Sequence, residues 1–367
     1  MASMKEAKLL THCVLLVILC NFFFCSFKAL DTLKPGENLR DKETLVSAGK
    51  VFELGFFKSG ESNYGYLGIW FKNDRNKKAV WVANRENPLL GSSLSLYIRS
   101  DGNMVMMDKR EIPIIVNYGM LATSGNTSAK LLDSGNLVLT EGAKIAWQSF
   151  DFPSDTFLPG MKLGSFDMDK DHVRHQFLVS WLSPFVPTTG PFALGLDGKN
   201  RTLYTLWRRD GAFQHIGSSN GQSFRFSFQN SLDNNTFTYV SNNKEIYIMF
   251  HTRGNSISSW FVLTYTGEID KYTVLNGEIS IVDNSVCNGT SINLNECLIP
   301  KPLSCKDGNV FSDIRGSMPN SLIVNGSDRL GPSDCEIMCK SNCLCTAFSS
   351  LRMELDVDFT MGIRRIL

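Results

Sequence analysis

Two short stretches of this chain place hydrogen-bonding side chains at alternate positions around a glycine turn. In Arg99-Ser-Asp-Gly-Asn-Met-Val-Met-Met107 and Leu132-Asp-Ser-Gly-Asn-Leu-Val-Leu-Thr140 the shared element is Gly-Asn-x-Val, with Asn103 and Asn136 aligned. A turn pair between two apolar runs predicts a tight hairpin. The period of two along a strand then puts Asn103, Val105 and Met107 on one face of the second strand, with Asp101 in the turn and Arg99 at the end of the first. Five side chains converge on one patch. A pyranose offers hydroxyls of fixed direction and an apolar C–H face, so short acceptors and donors beside a small aliphatic residue can grip it. The same Asn and Asp can equally serve only the turn. Asn136 and Val138 form the corresponding pair in the second copy.

Other chemistry finds no footing. The sequence contains no Gly-x-Gly-x-x-Gly, His-Arg-Asp, Asp-Phe-Gly or His-Glu-x-x-His, and His172 and His175 stand in a polar, charged stretch that reads as solvated. No catalytic residue, metal ligand or cofactor is expected.

The elements that must carry the two patches read as β almost throughout. Short apolar runs such as Val51-Phe-Glu-Leu-Gly-Phe-Phe57, Tyr66-Leu-Gly-Ile-Trp-Phe71 and Val80-Trp-Val82 are punctuated by Gly, Asn, Asp and Ser. Many short strands with frequent turns predict a barrel, prism or sandwich. With 43% apolar residues in 367 the chain can bury a core, and its length suggests two or three domains. A formal net charge of +1 leaves no electrostatic footprint for nucleic acid or anionic membrane.

Cysteine placement divides the molecule. Cys13, Cys20 and Cys25 lie in an apolar N-terminal stretch behind Lys5 and Lys8, which has the layout of a secretory signal peptide over residues 1–29. An uncleaved anchor is the competing reading, since no clean small-x-small site precedes Leu30; no later segment is of membrane-spanning length. Sequons at Asn126, Asn200, Asn234, Asn288 and Asn325 agree with secretion. In that oxidising route Cys287, Cys297, Cys305, Cys335, Cys339, Cys343 and Cys345 read as mostly disulfides, and their odd number leaves at least one unpaired or bridged to another chain. A zinc site competes weakly, because no Cys-x2-Cys pair is present.

The first patch resembles the Gln-x-Asp-x-Asn-x-Val-x-Tyr mannose-binding signature of bulb-type lectins, which fold as a β-prism. Thr44-Leu-Val-Ser-Ala-Gly, Trp81-Val-Ala-Asn-Arg-Glu-Asn-Pro and Trp147-Gln-Ser-Phe-Asp-Phe-Pro-Ser-Asp-Thr-Phe-Leu-Pro-Gly-Met extend the likeness to the G-type lectin S-receptor-like serine/threonine kinases of plants. Looser motifs, Ser180-Trp-Leu-Ser-Pro and Leu206-Trp-Arg-Arg, resemble the S-locus glycoprotein region. Cys335-x3-Cys339-x3-Cys343-x-Cys345 with Thr-Ala-Phe348 resembles a PAN/apple core, in which disulfides pin a helix to a small sheet.

The resemblance implies a mainly β chain: a bulb-type lectin domain over 30–158, a second β-rich, lectin-like S-locus glycoprotein domain over 159–286, a reduced cysteine-containing linker over 287–304, a partial PAN/apple domain over 305–350 and a divergent tail over 351–367. It implies a carbohydrate-binding, extracellular ectodomain with mannose-type glycans as partners. The alternative is a peptide- or receptor-binding ectodomain or soluble decoy, taking a small secreted protein ligand or associating with receptor kinases.

Three departures weigh on that. Arg99 stands where the family has Gln and Met107 where it has Tyr, and the second copy keeps only Asn136 and Val138; each hydrogen bond so lost is worth about 0.5–1.5 kcal/mol. Cys287, Cys297 and Cys305 are too few for a six-cysteine EGF-like module. The tail after Ser350 lacks the later cysteine and strands of a full PAN domain and no kinase follows, which reads as a truncated product; the family's kinase activity is therefore not carried over.

Overall fold

The computed structural model describes residues 31–58, 64–208, 211–220, 224–226, 235–252, 259–275, 278–285, 311–316, 331–341, 347–348 and 361–366. The expected leader, the sequons at Asn234, Asn288 and Asn325, and Cys287, Cys297, Cys305, Cys343 and Cys345 lie outside them. Antiparallel sheet dominates, as expected.

The first body is built from three sheets. One runs Thr32–Leu33, Thr127–Leu131, Leu137–Glu141, Lys144–Gln148; a second runs Ile114–Ile115, Met104–Met107, Ser95–Ile98, Asn38–Arg40; the third contains Thr44–Val46, Phe52–Lys58, Tyr64–Phe71 and Ala79–Val82, with Leu89–Leu90 also paired to Tyr64–Phe71. Alternate residues of all three, among them Phe52, Leu67, Leu96, Met104, Leu137 and Leu139, turn into one core, which gives the β-prism. The sheets also close alike. A polar side chain just past the last strand accepts the backbone N–H of a residue on a neighbouring strand: Asn84 Oδ1 from Leu67 (2.9 Å), Asn117 Oδ1 from Met104 (2.9 Å) and Ser149 Oγ from Leu137 (2.9 Å). Each satisfies a buried donor that would otherwise be orphaned.

Residues 156–285 form three further sheets. They comprise Thr156–Phe157 with Ser259–Leu263, Ile269–Leu275 and Glu278–Ser285; Arg174–Gln176 with Leu163–Phe166, Ile246–Thr252 and Asn235–Ser241; and a five-stranded sheet from Leu178–Ser183 through Val186–Leu196, Leu203–Arg208 and Gly211–Ser219 to Phe224–Phe226. This second body shares a continuous core with the first, joined where Phe71 stacks on Trp260 at 4.2 Å between centroids. Trp181 packs on Tyr66, Ala79 and Val82, so the outer face of the third sheet is covered. Beside it the Arg85 guanidinium donates to the carbonyls of Pro187 (2.6 Å), Val179 (3.0 Å) and Ser180 (2.5 Å).

At the cysteine-rich end the helix Pro332–Ser341 carries Cys335 and Cys339 one turn apart, as the spacing predicts. Cys339 is disulfide-bonded. Cys335 is a free thiol, which corrects its expected place in a bridge. An odd number of cysteines must leave one over, and burial beside Asp334 pushes this thiol's pKa up. Asp334 fixes the helix start, accepting the Gly331 N–H (3.0 Å) and pairing with Arg208 of the second body (3.1 Å). The tail also corrects the expectation that it lacks strands: Met361–Ile366 is the central strand of a sheet with Phe311–Gly316 and Ala347–Phe348. No helix among the described residues is long and apolar enough to cross a membrane.

Candidate functional site

Both predicted hairpins form. Ile98 pairs with Met104 in the first and Leu131 with Leu137 in the second. The turns are superposable in their hydrogen bonds: Arg99 N–H to Asn103 O (2.9 Å) and Gly102 N–H to Arg99 O (2.9 Å), matched by Leu132 to Asn136 (2.9 Å) and Gly135 to Leu132 (3.0 Å). Glycine is required at the third turn position, since Gly102 and Gly135 have φ of +88° and +83°, and a Cβ at 102 would stand 2.0 Å from Ser124 O.

In the first hairpin the five predicted side chains meet, though not as five free groups. The Arg99 guanidinium forks onto Asp101 Oδ2, with Nε at 3.0 Å and Nη2 closer still. Asp101 Oδ1 accepts the Asn103 N–H at 3.1 Å. The Arg99 hydrogen bond is the largest cause holding the Asp101 carboxyl well below the usual carboxylate range. This pair lies at the surface, with side chains 39% and 43% exposed. Asn103 is buried; its Oδ1 accepts from Asn117 Nδ2 (2.8 Å) and the Ala122 N–H (2.9 Å). Val105 is fully buried although it faces away from the core, in register between Tyr97 and Ile115. Tyr97 Oη reaches Met107 Sδ at 3.5 Å, so these two side chains close over the far end of the patch.

The second hairpin spends its polar groups internally. Asn136 Nδ2 donates to Gln148 Oε1 (2.9 Å), and Asn136 Oδ1 accepts from Ser149 Oγ (3.2 Å) and the Phe150 N–H (3.2 Å). Gln148 Nε2 continues to Asp151 Oδ1 (3.1 Å), which also accepts Gln176 Nε2 (3.1 Å) from the second body. Ser128 and Thr140 hydroxyls pair across the strands at 3.0 Å, and Val138 is buried.

Asn117, Gln148, Ser149 and Tyr97 therefore decide the state of the two patches, and none is marked by the repeat. Asn117 lies at the end of Ile114-Ile-Val-Asn117, where Val80-Trp-Val-Ala-Asn84 has its own asparagine; that parallel is the signal that could have found it. No group of three or more metal-ligating side chains occurs among the described residues.

The family described as D-mannose binding lectin matches residues 78–182, a span that contains both hairpins. The S-locus-specific glycoprotein S6 of Brassica oleracea is 30% identical, over 92% of this chain and 87% of its own length. The receptor-like serine/threonine-protein kinase SD1-8 of Arabidopsis thaliana is 30% identical over 87% of this chain. The chain belongs to the S-locus glycoprotein and G-type lectin S-receptor-like kinase family. Within that family it spans most of the glycoprotein but only 43% of the length of SD1-8. A monomeric mannose-binding lectin of Gastrodia elata is 19% identical, over 32% of this chain and 93% of its own, at a TM-score of 0.25. The family match makes the first body of this member lectin-like, with one motif hairpin closed by an exposed ion pair and the other by more enclosed hydrogen bonds.

The two described sequons sit at the surface. Asn126 and Asn200 are exposed, and Asn200 Oδ1 accepts the hydroxyl of its own sequon residue Thr202 at 2.7 Å.

Proposed function

We propose that this chain is a secreted, non-catalytic glycan-recognition ectodomain that reads mannose-type sugars through Asp101 and Asn103, with Arg99 tuning the choice. The observation that carries the reading is the exposed Arg99–Asp101 pair. Among the described residues it is the only ion pair within either motif hairpin, and a surface ion pair is cheap to exchange for other partners. An incoming sugar can take over the carboxylate while the freed guanidinium donates to a neighbouring hydroxyl or to an acidic sugar. The second hairpin, at Asn136 and Val138, serves the fold.

The division into a leader, two β bodies, a linker, a cysteine-stapled module and a tail belongs to the same proposal. It is supported by strands up to Gln148 pairing only among themselves and by Thr156–Phe157 pairing into the second body.

The test is a glycan array with the purified chain, Arg99→Gln and Asp101→Asn. Asp101→Asn is expected to lose retention at least tenfold, and Arg99→Gln to raise mannose binding and abolish any preference for acidic sugars. Retention unchanged by Asp101→Asn ends the sugar reading at this hairpin. A protein-ligand reading has its own observation: Ile112, Tyr118, Met120 and Leu121, beside the first hairpin, are 61%, 79%, 37% and 56% exposed. Large exposed apolar side chains on the two loops that flank the strand Ile114–Ile115 suit a partner protein.

A further inference from the structure

A third hairpin of the same geometry stands in the second body. Thr264 N–H donates to Glu268 O (2.8 Å) and Gly267 N–H to Thr264 O (3.1 Å), as at the two motif turns. Gly267 has φ +85°, and Leu263 pairs with Ile269 where Ile98 pairs with Met104. Thr264, Thr266, Glu268, Asp270 and Tyr272 therefore occupy the positions of Arg99, Asp101, Asn103, Val105 and Met107. All five are hydrogen-bonding residues, whereas each motif hairpin offers three or fewer at these positions besides an aliphatic or thioether side chain.

The interior of this patch differs from the other two. Thr264 and Thr266 hydroxyls lie 2.8 Å apart, and Thr264 Oγ1 also serves the turn, accepting the Glu268 N–H at 3.1 Å and reaching its carbonyl at 3.1 Å. Among the described residues no arginine closes on the carboxyls. Asp270 replaces the buried valine, and its carboxylate has no hydrogen-bond partner among the described residues. Its electrostatic neighbours are Glu268 on the same strand face and Lys78 from the first body. Lys78 stands over the Tyr272 ring at 4.4 Å and donates to its hydroxyl at 2.5 Å. Burial pushes both carboxyl pKa values up, with mutual repulsion adding at Glu268 and Lys78 opposing at Asp270. Glu268 takes a hydrogen bond from Thr266, whereas Asp270 has no donor among the described residues; two half-buried carboxyls with acceptor capacity to spare, flanked by hydroxyls and one ammonium, suit a ligand that brings several O–H donors at fixed spacing.

We propose that the Thr264–Tyr272 hairpin is a second sugar-binding site, taking hydroxyl donors of a glycan on Glu268 and Asp270 at the junction of the two bodies. It deepens the glycan reading and rests on it, but it uses none of the residues of the first hairpin. The experiment measures retention of the full chain on a high-mannose glycan resin, comparing Asp270→Asn, Glu268→Gln, Asp101→Asn and the Asp101/Asp270 double change, with thermal melting of each. Two sites engaging one surface multiply, so losing either is expected to weaken retention about tenfold or more. Asp270→Asn or Glu268→Gln should do so with an unchanged melting temperature, and the double change should abolish it. Retention within twofold of the parent in both third-hairpin variants, while Asp101→Asn abolishes it, overturns this proposal and leaves the first site standing. Loss confined to Asp270→Asn and Glu268→Gln does the reverse. If the folded parent is not retained at all, both fall. Should Asp270→Asn unfold the chain, Glu268→Gln, closer to the turn, carries the test.

Discussion

The hairpins at 99–107 and 132–140 share a turn, a register and a buried asparagine, yet they have diverged in what that asparagine's surroundings do. In the first, the buried amide anchors the following loop, and the charge sits outside as an ion pair. In the second, the amide extends through Gln148 and Asp151 to Gln176, so the same backbone ties one body to the other. A repeated scaffold thus fixes where side chains point, and the next layer of partners decides whether they are free to bind. Two nearby ion pairs repeat this lesson. Arg99 and Asp101 are both exposed, whereas Arg110 forks onto an Asp108 carboxylate that is almost wholly buried and also accepts the Leu90 and Arg110 N–H groups at 2.7 and 2.8 Å.

The largest expected effect tests the equivalence of the asparagines. Asn136→Ala leaves the Phe150 N–H and the Ser149 and Gln148 side chains short of partners, and should cost about 2–4 kcal/mol by chemical denaturation. Asn103→Ala orphans the Ala122 N–H and takes from Asn117 Nδ2 one of its two acceptors, leaving it Met120 O at 3.1 Å, and should cost a similar amount. A cost below about 0.5 kcal/mol at either site breaks the equivalence. Asn103→Ala is for that reason a poor probe of sugar binding, and Asp101→Asn the better one.

The next effect separates the two ion pairs by pH. Asp108 has its pKa lowered to about 2, first by the Arg110 hydrogen bonds, from an ordinary value of 3.8. A carboxyl depressed in the folded state stabilises fully above its unfolded pKa and loses that contribution as pH falls towards the folded value. Asp108→Asn should therefore flatten the stability profile between about pH 4 and pH 2 and cost about 1–3 kcal/mol at neutral pH. An unaltered acid limb in that variant contradicts the assignment.

The smallest effect on the fold belongs to Arg99→Gln, whose pair is exposed and screened. Its melting temperature should match the parent's while its glycan profile changes, and a clear drop in melting temperature would make the pair structural after all.

Much of this was legible in the sequence, because it followed from periodicity and turn chemistry. The glycines at 102 and 135, the alternation on either side and the one-face placement of Asn103, Val105 and Met107 are all local. The partners were not. Asn117 reaches Asn103 across fourteen residues, and Gln176 reaches the second hairpin from another sheet; neither spacing leaves a trace in a repeat. Val105 faces away from the core as alternation requires, but its burial comes from Tyr97 and Ile115 on flanking strands. The third hairpin escaped because Thr-Gly-Glu-Ile-Asp270 keeps the glycine and loses the letters Asn-x-Val. The tail strand Met361–Ile366 reads as polar at Arg364 and Arg365, and it forms only because Phe311–Gly316 and Ala347–Phe348 flank it.

Arg85 has a consequence for reach. One buried guanidinium gripping three carbonyls of the second body, beside the Phe71 and Trp260 stack, leaves little freedom for one body to swing against the other. The first and third hairpins are then held at a fixed separation. If both hairpins bind sugar as proposed, a branched glycan whose arms match that separation would engage both without the entropy of a linker, and one with arms too short would meet a single site. Selectivity for the size of a glycan, rather than for the identity of one sugar, would be written into the seam between the bodies.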